Sequence, residues 1–124
     1  LIEQIISNFA NRDLVKVEME IEDLILDAKQ LQPLGVIVNE VLTNIMKYAF
    51  IGKDGGSIFV SAAARDDKVT VSIQDDGNGI PESADFDHPS GFGLTLIKGL
   101  SEQLAGSVRI ERGSGTKIVL EFVA

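Results

Sequence analysis

The chain has 124 residues and a net charge of −8 at neutral pH, with 11 basic side chains against 19 acidic ones. A chain of this length can bury one hydrophobic core, and its negative charge, without a cluster of Lys and Arg, excludes ordinary nucleic-acid binding. It contains no cysteine, which excludes disulfides and thiolate metal sites. No apolar run approaches the roughly 20 residues of a membrane span. We therefore expect a cytoplasmic domain, or the cytoplasmic part of a membrane-bound protein, that makes no membrane contact itself.

The first residues predict a helix, a turn and a strand. Residues 1–9 carry one apolar stripe at helical spacing. Because the chain opens on Leu1 rather than Met, we expect a piece of a longer protein, in which residues 1–10 are the remnant of a linker helix. Residues 11–13 are typical of a turn, and residues 15–21 alternate strictly between apolar and polar, as in a half-buried strand.

The middle of the chain predicts one long helix and a pair of strands. A short second strand is expected at residues 24–26, and Pro33 suits the start of a helix that runs to about Phe50. Residues 57–65 and 68–74 then predict two strands joined by a tight turn at an Asp-Asp pair.

The last third predicts a loop, a helix and a closing hairpin. Residues 75–90 have no regular period, whereas 92–104 predict a helix that is ended by Gly106. Residues 107–112 and 116–123 predict the two strands of the hairpin. Helices and strand pairs in this order indicate an α+β fold, an α/β sandwich with a mostly antiparallel mixed sheet and helices packed on one face.

The segment from Asn39 to Tyr48 gathers polar groups on one side of the predicted long helix. At about 100° per residue, a carboxylate, a carboxamide, an ammonium and a phenol fall within one sector of about 100°; these belong to Glu40, Asn44, Lys47 and Tyr48. Apolar side chains occupy the opposite side, at Val38, Val41, Leu42, Ile45 and Ala49. Such a helix can pack on a sheet and face a ligand.

Three glycine-containing segments follow this helix in the sequence. They are Asp75-Asp76-Gly77-Asn78-Gly79-Ile80-Pro81, Gly91-Phe92-Gly93-Leu94 and Gly113-Ser114-Gly115-Thr116. Together with the helix, in this order, they resemble the N, G1, G2 and G3 boxes of the GHKL ATP-binding superfamily, which includes DNA gyrase and sensor histidine kinases. The resemblance covers roughly residues 24–122, and residues 33–50 look most like the ATP-binding domain of sensor histidine kinases.

This resemblance implies a fold, a reaction and partners. The fold would be the Bergerat fold, as a single ATP-binding catalytic domain over residues 1–124. It would bind ATP and Mg²⁺ and pass the γ-phosphoryl group to a histidine on a separate domain upstream in the same protein. The resemblance also implies a response regulator downstream and a homodimeric full-length protein.

The resemblance assigns the adenine and phosphate contacts. Asp75 would accept a hydrogen bond from the exocyclic amine of adenine, and because guanine has a carbonyl there, the contact would select against guanine. Thr116 would support this site. Gly77 and Gly79 would let the nucleotide approach the backbone closely. Gly91, Gly93 and Leu94 would bind it at the amino terminus of a helix, which suits phosphate. Without the other boxes, an Asp-Gly turn after a strand would explain Asp75 equally well.

The polar row of the long helix would hold the metal and the reacting phosphate. Asn44 would be a ligand of Mg²⁺, which prefers hard oxygen atoms and keeps several waters. Glu40, one turn earlier, would be the general base or part of the magnesium shell. Lys47 would pair with phosphate, and Tyr48 would pack near the nucleotide. The alternative for these residues is an ordinary amphipathic helix surface.

Two other functions stay open at this point. His88 is the only histidine, and it lies between Asp87 and Pro89 in a predicted loop, whereas a phospho-accepting histidine lies on a helix. The acceptor is therefore expected elsewhere. An anti-sigma-factor serine kinase of the same superfamily is the first alternative to the histidine kinase. A phosphotransfer or scaffold protein that no longer binds nucleotide is the second, although the complete set of motif residues argues against it.

Overall fold

The computed structural model describes residues 15–22, 26–46, 56–78, 93–113 and 115–123. In chain order these form β1 (Val15–Ile21), α1 (Ala28–Asn44), β2 (Gly56–Arg65), β3 (Lys68–Asp75), α2 (Leu94–Gln103), β4 (Ser107–Arg112) and β5 (Thr116–Val123). The predicted opening helix, the turn at 11–13 and most of the loop at 75–90 lie outside this description. Within the described ranges, no helix is both long and apolar enough to span a membrane.

The five described strands form one mixed sheet in the order β1-β2-β3-β5-β4. β1 runs parallel to β2, and every other neighbouring pair is antiparallel. One face of this sheet shares a continuous hydrophobic core with α1 and α2, in which Leu34, Val38, Leu42, Val60, Leu94 and Ile97 are fully buried. This architecture confirms the predicted α+β sandwich with helices on one face of a mostly antiparallel sheet.

The register of β2, β3 and β5 places Asp75 at the end of the sheet's central strand. Asp75 pairs with Ile58 on β2 and with Thr116 on β5. Two residues earlier on β3, Ile73 pairs with Val60 and with Ile118, all three of which belong to the core. Because side chains two residues apart on a strand share a face, Asp75 and Thr116 point to the helix side of the sheet.

The start of α1 differs from the prediction. Asp27 is the N-cap, and its carboxylate accepts a hydrogen bond of 3.0 Å from the backbone N–H of Gln30. This cap satisfies one of the free N–H groups of the first turn, so α1 begins at Ala28, and Pro33 lies inside the helix instead of starting it. Leu26 is not part of a strand, so the strand predicted at 24–26 does not extend to it; its other two residues lie outside the description.

The end of α1 is described only as far as residue 46. Regular α-helix ends at Asn44, and residues 45 and 46 form a π-helical turn. The predicted extension of the helix to Phe50 falls on residues outside the description.

The carboxyl end of α2 corrects a second prediction. Ala105 has the left-handed backbone conformation, with φ of 56°. Its N–H donates to the carbonyl of Glu102, and the N–H of Gly106 donates to the carbonyl of Ser101, which is the Schellman arrangement. Gly106 is needed for another reason, because a Cβ atom there would collide with the backbone oxygen of Glu121 on β5. The helix is therefore ended by Ala105, and Gly106 allows the close approach of β5.

The hairpin of β2 and β3 confirms the predicted tight turn. Asp66 and Asp67 both have positive φ, at 53° and 67°, as a two-residue type I′ turn requires. Asp tolerates this conformation better than most residues. The paired strands therefore turn where the sequence predicts, within one residue at either end.

Candidate functional site

Glu40 and Asn44 lie one helical turn apart on α1, on the side away from its apolar stripe. Val38, Val41 and Leu42 are buried in the core. Asn44 is also buried, with only 5% of its surface exposed, whereas Glu40 is partly exposed. The other two members of the predicted polar row, Lys47 and Tyr48, fall outside the described residues.

The amino end of α2 packs directly against this pair. Gly93 is the N-cap of α2 and has a left-handed backbone, with φ of 74°. A Cβ atom at Gly93 would lie 2.6 Å from Oε2 of Glu40 and 3.2 Å from Nδ2 of Asn44. The absence of a side chain at Gly93 therefore lets the start of α2 meet the carboxylate and the carboxamide.

The first N–H groups of α2 are the ones that an anion would use. The N–H of Ile97 donates to the carbonyl of Gly93, the N-cap, so the N–H groups that precede it belong to the first turn, which points them towards the amino end of the helix. Leu94 has a fully buried side chain, so only its backbone can face a ligand. Gly91, which precedes this helix, and Gly79 lie outside the description.

Asp75 forms a second polar cluster on the same side of the sheet. Its surface is 1% exposed, and its Oδ1 accepts a hydrogen bond of 2.9 Å from the N–H of Gly77. Its Oδ2 is also buried and receives no hydrogen bond within the described part of the chain. Thr116, its register partner on β5, is 3% exposed. A Cβ atom at Gly115 would collide with the backbone oxygen of Asp75, so this glycine allows β5 to approach.

Sequence reasoning missed one contact of this cluster. The side chain of Asp76 is exposed, as is usual for an Asp in a turn. However, its Oδ1 accepts a 2.7 Å hydrogen bond from the N–H of Ser57, and its own N–H donates to the carbonyl of Ser57 over 3.2 Å. The signal that could have revealed this pair is the register of the hairpin, which places Ser57 opposite Asp76 once the turn is fixed at Asp66 and Asp67.

The described residues fit a nucleotide and its metal in chemical type. At Gly93 and at Gly115 the position of a Cβ atom is taken up by Oε2 of Glu40 and by the backbone oxygen of Asp75, so each glycine brings the carboxylate of its cluster close to the neighbouring backbone. No group of three or more Asp, Glu or His side chains in the described ranges is arranged to hold a metal ion. A cation at Asn44 would therefore take its other ligands from water and phosphate, as Mg²⁺ commonly does.

The chain is similar to protein kinases of two kinds. The blue-light-activated histidine kinase 2 of Erythrobacter litoralis is 27% identical over 115 residues, which cover 92% of this chain and 33% of that protein. The serine-protein kinase RsbW of Listeria monocytogenes is 29% identical over 104 residues, which cover 73% of this chain and 64% of that protein. The solved structure of the Erythrobacter litoralis EL346 blue-light activated histidine kinase superposes with a TM-score of 0.88 at 25% identity, covering 98% of this chain and 39% of that one.

The family assignment follows from a match over most of the chain. The chain spans well under half the length of the histidine kinases named above. Residues 29–124 match the family described as histidine kinase-, DNA gyrase B- and HSP90-like ATPases, which implies ATP binding. This protein therefore belongs to the histidine kinase-, DNA gyrase B- and HSP90-like ATPase family.

Proposed function

We propose that this chain is the Mg·ATP-binding catalytic domain of a two-component sensor histidine kinase. It would transfer the γ-phosphoryl group of ATP to a histidine on a separate, upstream domain of the same protein. The observation that carries this proposal is the meeting of Glu40 and Asn44 with Gly93 at the start of α2. It brings a carboxylate, a carboxamide and the first N–H groups of a helix to one place, and such groups can position a phosphoryl group for transfer.

Adenine recognition is proposed for Asp75. The side chain is buried at the end of β3, and the N–H of Gly77 holds one of its oxygens. A fixed carboxylate in a buried position is a good acceptor for the 6-amino group of adenine and a poor neighbour for the 6-carbonyl of guanine. Thr116, on the same rung of the sheet, would support the contact.

Phosphate positioning is proposed for the other cluster. The N–H groups at the start of α2 would bind phosphate oxygens, and the amide oxygen of Asn44 would bind Mg²⁺, which neutralises negative charge on the phosphates. Glu40 would act as general base or belong to the magnesium shell; both roles remain in the proposal. In the transfer, the bond from the γ-phosphorus to its bridging oxygen breaks, a P–N bond to the acceptor histidine forms, and ADP leaves.

The partners belong to the proposal too. We propose an upstream phospho-accepting histidine domain, a response regulator downstream and a homodimeric full-length protein, because the similar histidine kinases are much longer than this chain. The similarity to RsbW favours a second candidate, a serine kinase that acts on a partner protein.

The adenine assignment is tested with Asp75→Asn. This change keeps the shape but replaces one carboxylate oxygen with an amide NH₂ group that repels the adenine amine. A hydrogen bond to a charged group contributes about 1.5–3 kcal/mol, so calorimetry should show a roughly 10- to 150-fold loss of ATP affinity. Asp66→Asn is the matched control. It makes the same substitution at an exposed turn residue at the far end of the hairpin. Equal affinity in wild type and Asp75→Asn would refute the assignment.

The reaction class is tested by the chemistry of the phosphorylated product. The isolated chain should bind ATP yet incorporate no acid-labile phosphate, and adding the upstream acceptor domain should give acid-labile label on that domain's histidine. His88→Ala should leave this label intact, whereas label on His88 would refute the two-domain mechanism. Acid-stable label on a serine of a partner protein would establish the serine kinase instead.

A further inference from the structure

Asp75 lies at the end of β3, where the backbone pairing of the sheet is least secure. Asp75 is the last residue of the central strand and makes the last pairs of both ladders, with Ile58 and with Thr116. The ends of strands open more easily than their centres. The direction of the Asp75 carboxylate therefore depends on what holds the residues that follow it.

Asp76 continues the ladder by one more pair. Its N–H donates to the carbonyl of Ser57, as a strand residue would, and its side-chain Oδ1 accepts from the N–H of Ser57 in place of a backbone carbonyl. On the other side of β3, Gly115 lies against the backbone oxygen of Asp75. Asp76 thus ties the end of β3 to β2, and Gly115, just before β5, lies close to the backbone on the other side.

Asp76 does not face the proposed adenine site. Successive side chains on a strand point to opposite faces, and Asp75 points to the helix side with the core. Asp76 lies in a bend directly after β3, and its exposed side chain accepts its hydrogen bond from Ser57 on β2. A direct contact between Asp76 and the base is therefore inconsistent with the geometry.

We infer that Asp76 is a positioning residue for adenine recognition, which fixes the carboxylate of Asp75 by tying the end of β3 to Ser57. The inference rests on the proposed role of Asp75 in adenine binding. The bond from the N–H of Gly77 to Oδ1 of Asp75 is part of this support, since Gly77 directly follows Asp76. If Asp76 is released, both the strand end and this N–H lose their fixed positions.

Loss of this support acts on the base contact specifically. A hydrogen bond weakens steeply when its angle falls below about 120°, so a loosely held Asp75 discriminates poorly between a base with a 6-amino group and one without. The phosphate contacts proposed at α2 involve neither Asp76 nor Ser57. Replacing Asp76 should therefore change the preference for the base more than it changes the binding of the phosphates.

The test compares ATP with purine riboside triphosphate, which lacks the 6-amino group, by calorimetry on this chain. Asp76→Ala should weaken ATP binding by about 3- to 10-fold, the effect of one lost hydrogen bond, and should change the affinity for purine riboside triphosphate by less than about twofold. Asp76→Asn keeps an oxygen that can accept from Ser57, so its ratio of the two affinities should return to within about twofold of wild type.

Asp67→Ala supplies the control for a general loss of stability. It lies at the opposite end of the same hairpin, where a positive φ of 67° disfavours Ala. It should lower the urea midpoint of unfolding and leave the ratio of affinities unchanged.

Three outcomes would overturn the inference: a wild-type ratio in Asp76→Ala, an equal fall of the ratio in Asp67→Ala, or an Asn variant as defective as the Ala variant. Failure of the wild type to bind ATP would instead refute the proposed function, and this inference with it.

Discussion

Replacing Gly93 with Ala should disable phosphoryl transfer through one well-defined contact. A Cβ atom at this position would lie 2.6 Å from Oε2 of Glu40, whereas ordinary contacts begin at 3.4 Å. The oxygen must therefore retreat by about 0.8 Å, the difference of these two distances. Asn44, at 3.2 Å from the same Cβ position, must move by only a few tenths of an ångström. Glu40 is thus the group that is displaced most.

The expected magnitude follows from that displacement. A misplacement of about 1 Å in a catalytic constellation costs on the order of 100-fold in rate, so the maximal rate of transfer to the acceptor domain should fall by roughly that factor. The KM for ATP should change less than the rate, because the proposed adenine contact at Asp75 is untouched even though Gly93 lies beside the proposed phosphate site. Independently, a left-handed backbone costs an Ala residue about 1–2 kcal/mol, which should appear as a lower free energy of unfolding in urea.

Two further variants separate the contact from the strain. Gly99→Ala makes the same change on the same helix, where a Cβ atom would meet nothing within 4 Å; it should raise stability by about 1 kcal/mol and leave the transfer rate alone. Gly93→Asn carries a Cβ atom but tolerates a left-handed backbone. Wild-type transfer by Gly93→Asn would refute the contact with Glu40 as the cause, and so would a loss of rate in Gly99→Ala equal to that in Gly93→Ala.

Three other outcomes are expected. Asn44→Ala should weaken nucleotide binding at least roughly tenfold with Mg²⁺ present, as changes near metal ligands do, and far less in chelator; an unchanged metal effect would mark a structural Asn. Ala105→Gly should raise the free energy of unfolding by about 0.5–1 kcal/mol in urea denaturation, since Gly adopts the left-handed conformation freely; an unchanged value would show that Ala105 is unstrained. Hydrogen bonds from Lys68 and then Arg109 hold the pKa of Glu121 below its usual value, so its contribution is present above the unfolded pKa of about 4.3 and is lost as pH falls through the lower folded value. The stability difference between wild type and Glu121→Gln, followed by urea titration, should shrink over that acidic range, and a constant difference would contradict the ion pairs.

The strands could be predicted from sequence because apolar residues that face the helices recur at every second position along them. On β3, Val69, Val71 and Ile73 are buried in the core while Lys68 and Gln74 are exposed. The residues that the period-two pattern marks as apolar are the ones that the packing against the helices buries, so the pattern in the sequence predicts the buried face.

The ends of the helices could not be predicted equally well because several residues compete for each role. Pro33 is a good first residue of a helix, but Asp27 offers a capping carboxylate six residues earlier, and α1 accepts the proline within it. Gly106 is a good terminating residue, yet the close approach of β5 requires it there, and Ala105 takes the left-handed position. The deciding contacts in both cases come from packing that the local sequence does not display.

The candidate adenine site is a polar interruption of the hydrophobic face. The residues that point to the helices on β3 and β5 are apolar until the last pair, where Asp75 and Thr116 stand in place of core residues. Burying a carboxylate is costly unless hydrogen bonds compensate for its lost hydration, and an apolar pair at this rung would extend the core. The N–H of Gly77 compensates for part of this cost, and a ligand with an exocyclic amine at this position would compensate for more. Because the polar pair lies on the last rung, the remaining rungs keep their apolar packing, and the sheet can carry a recognition site at its end without giving up its core.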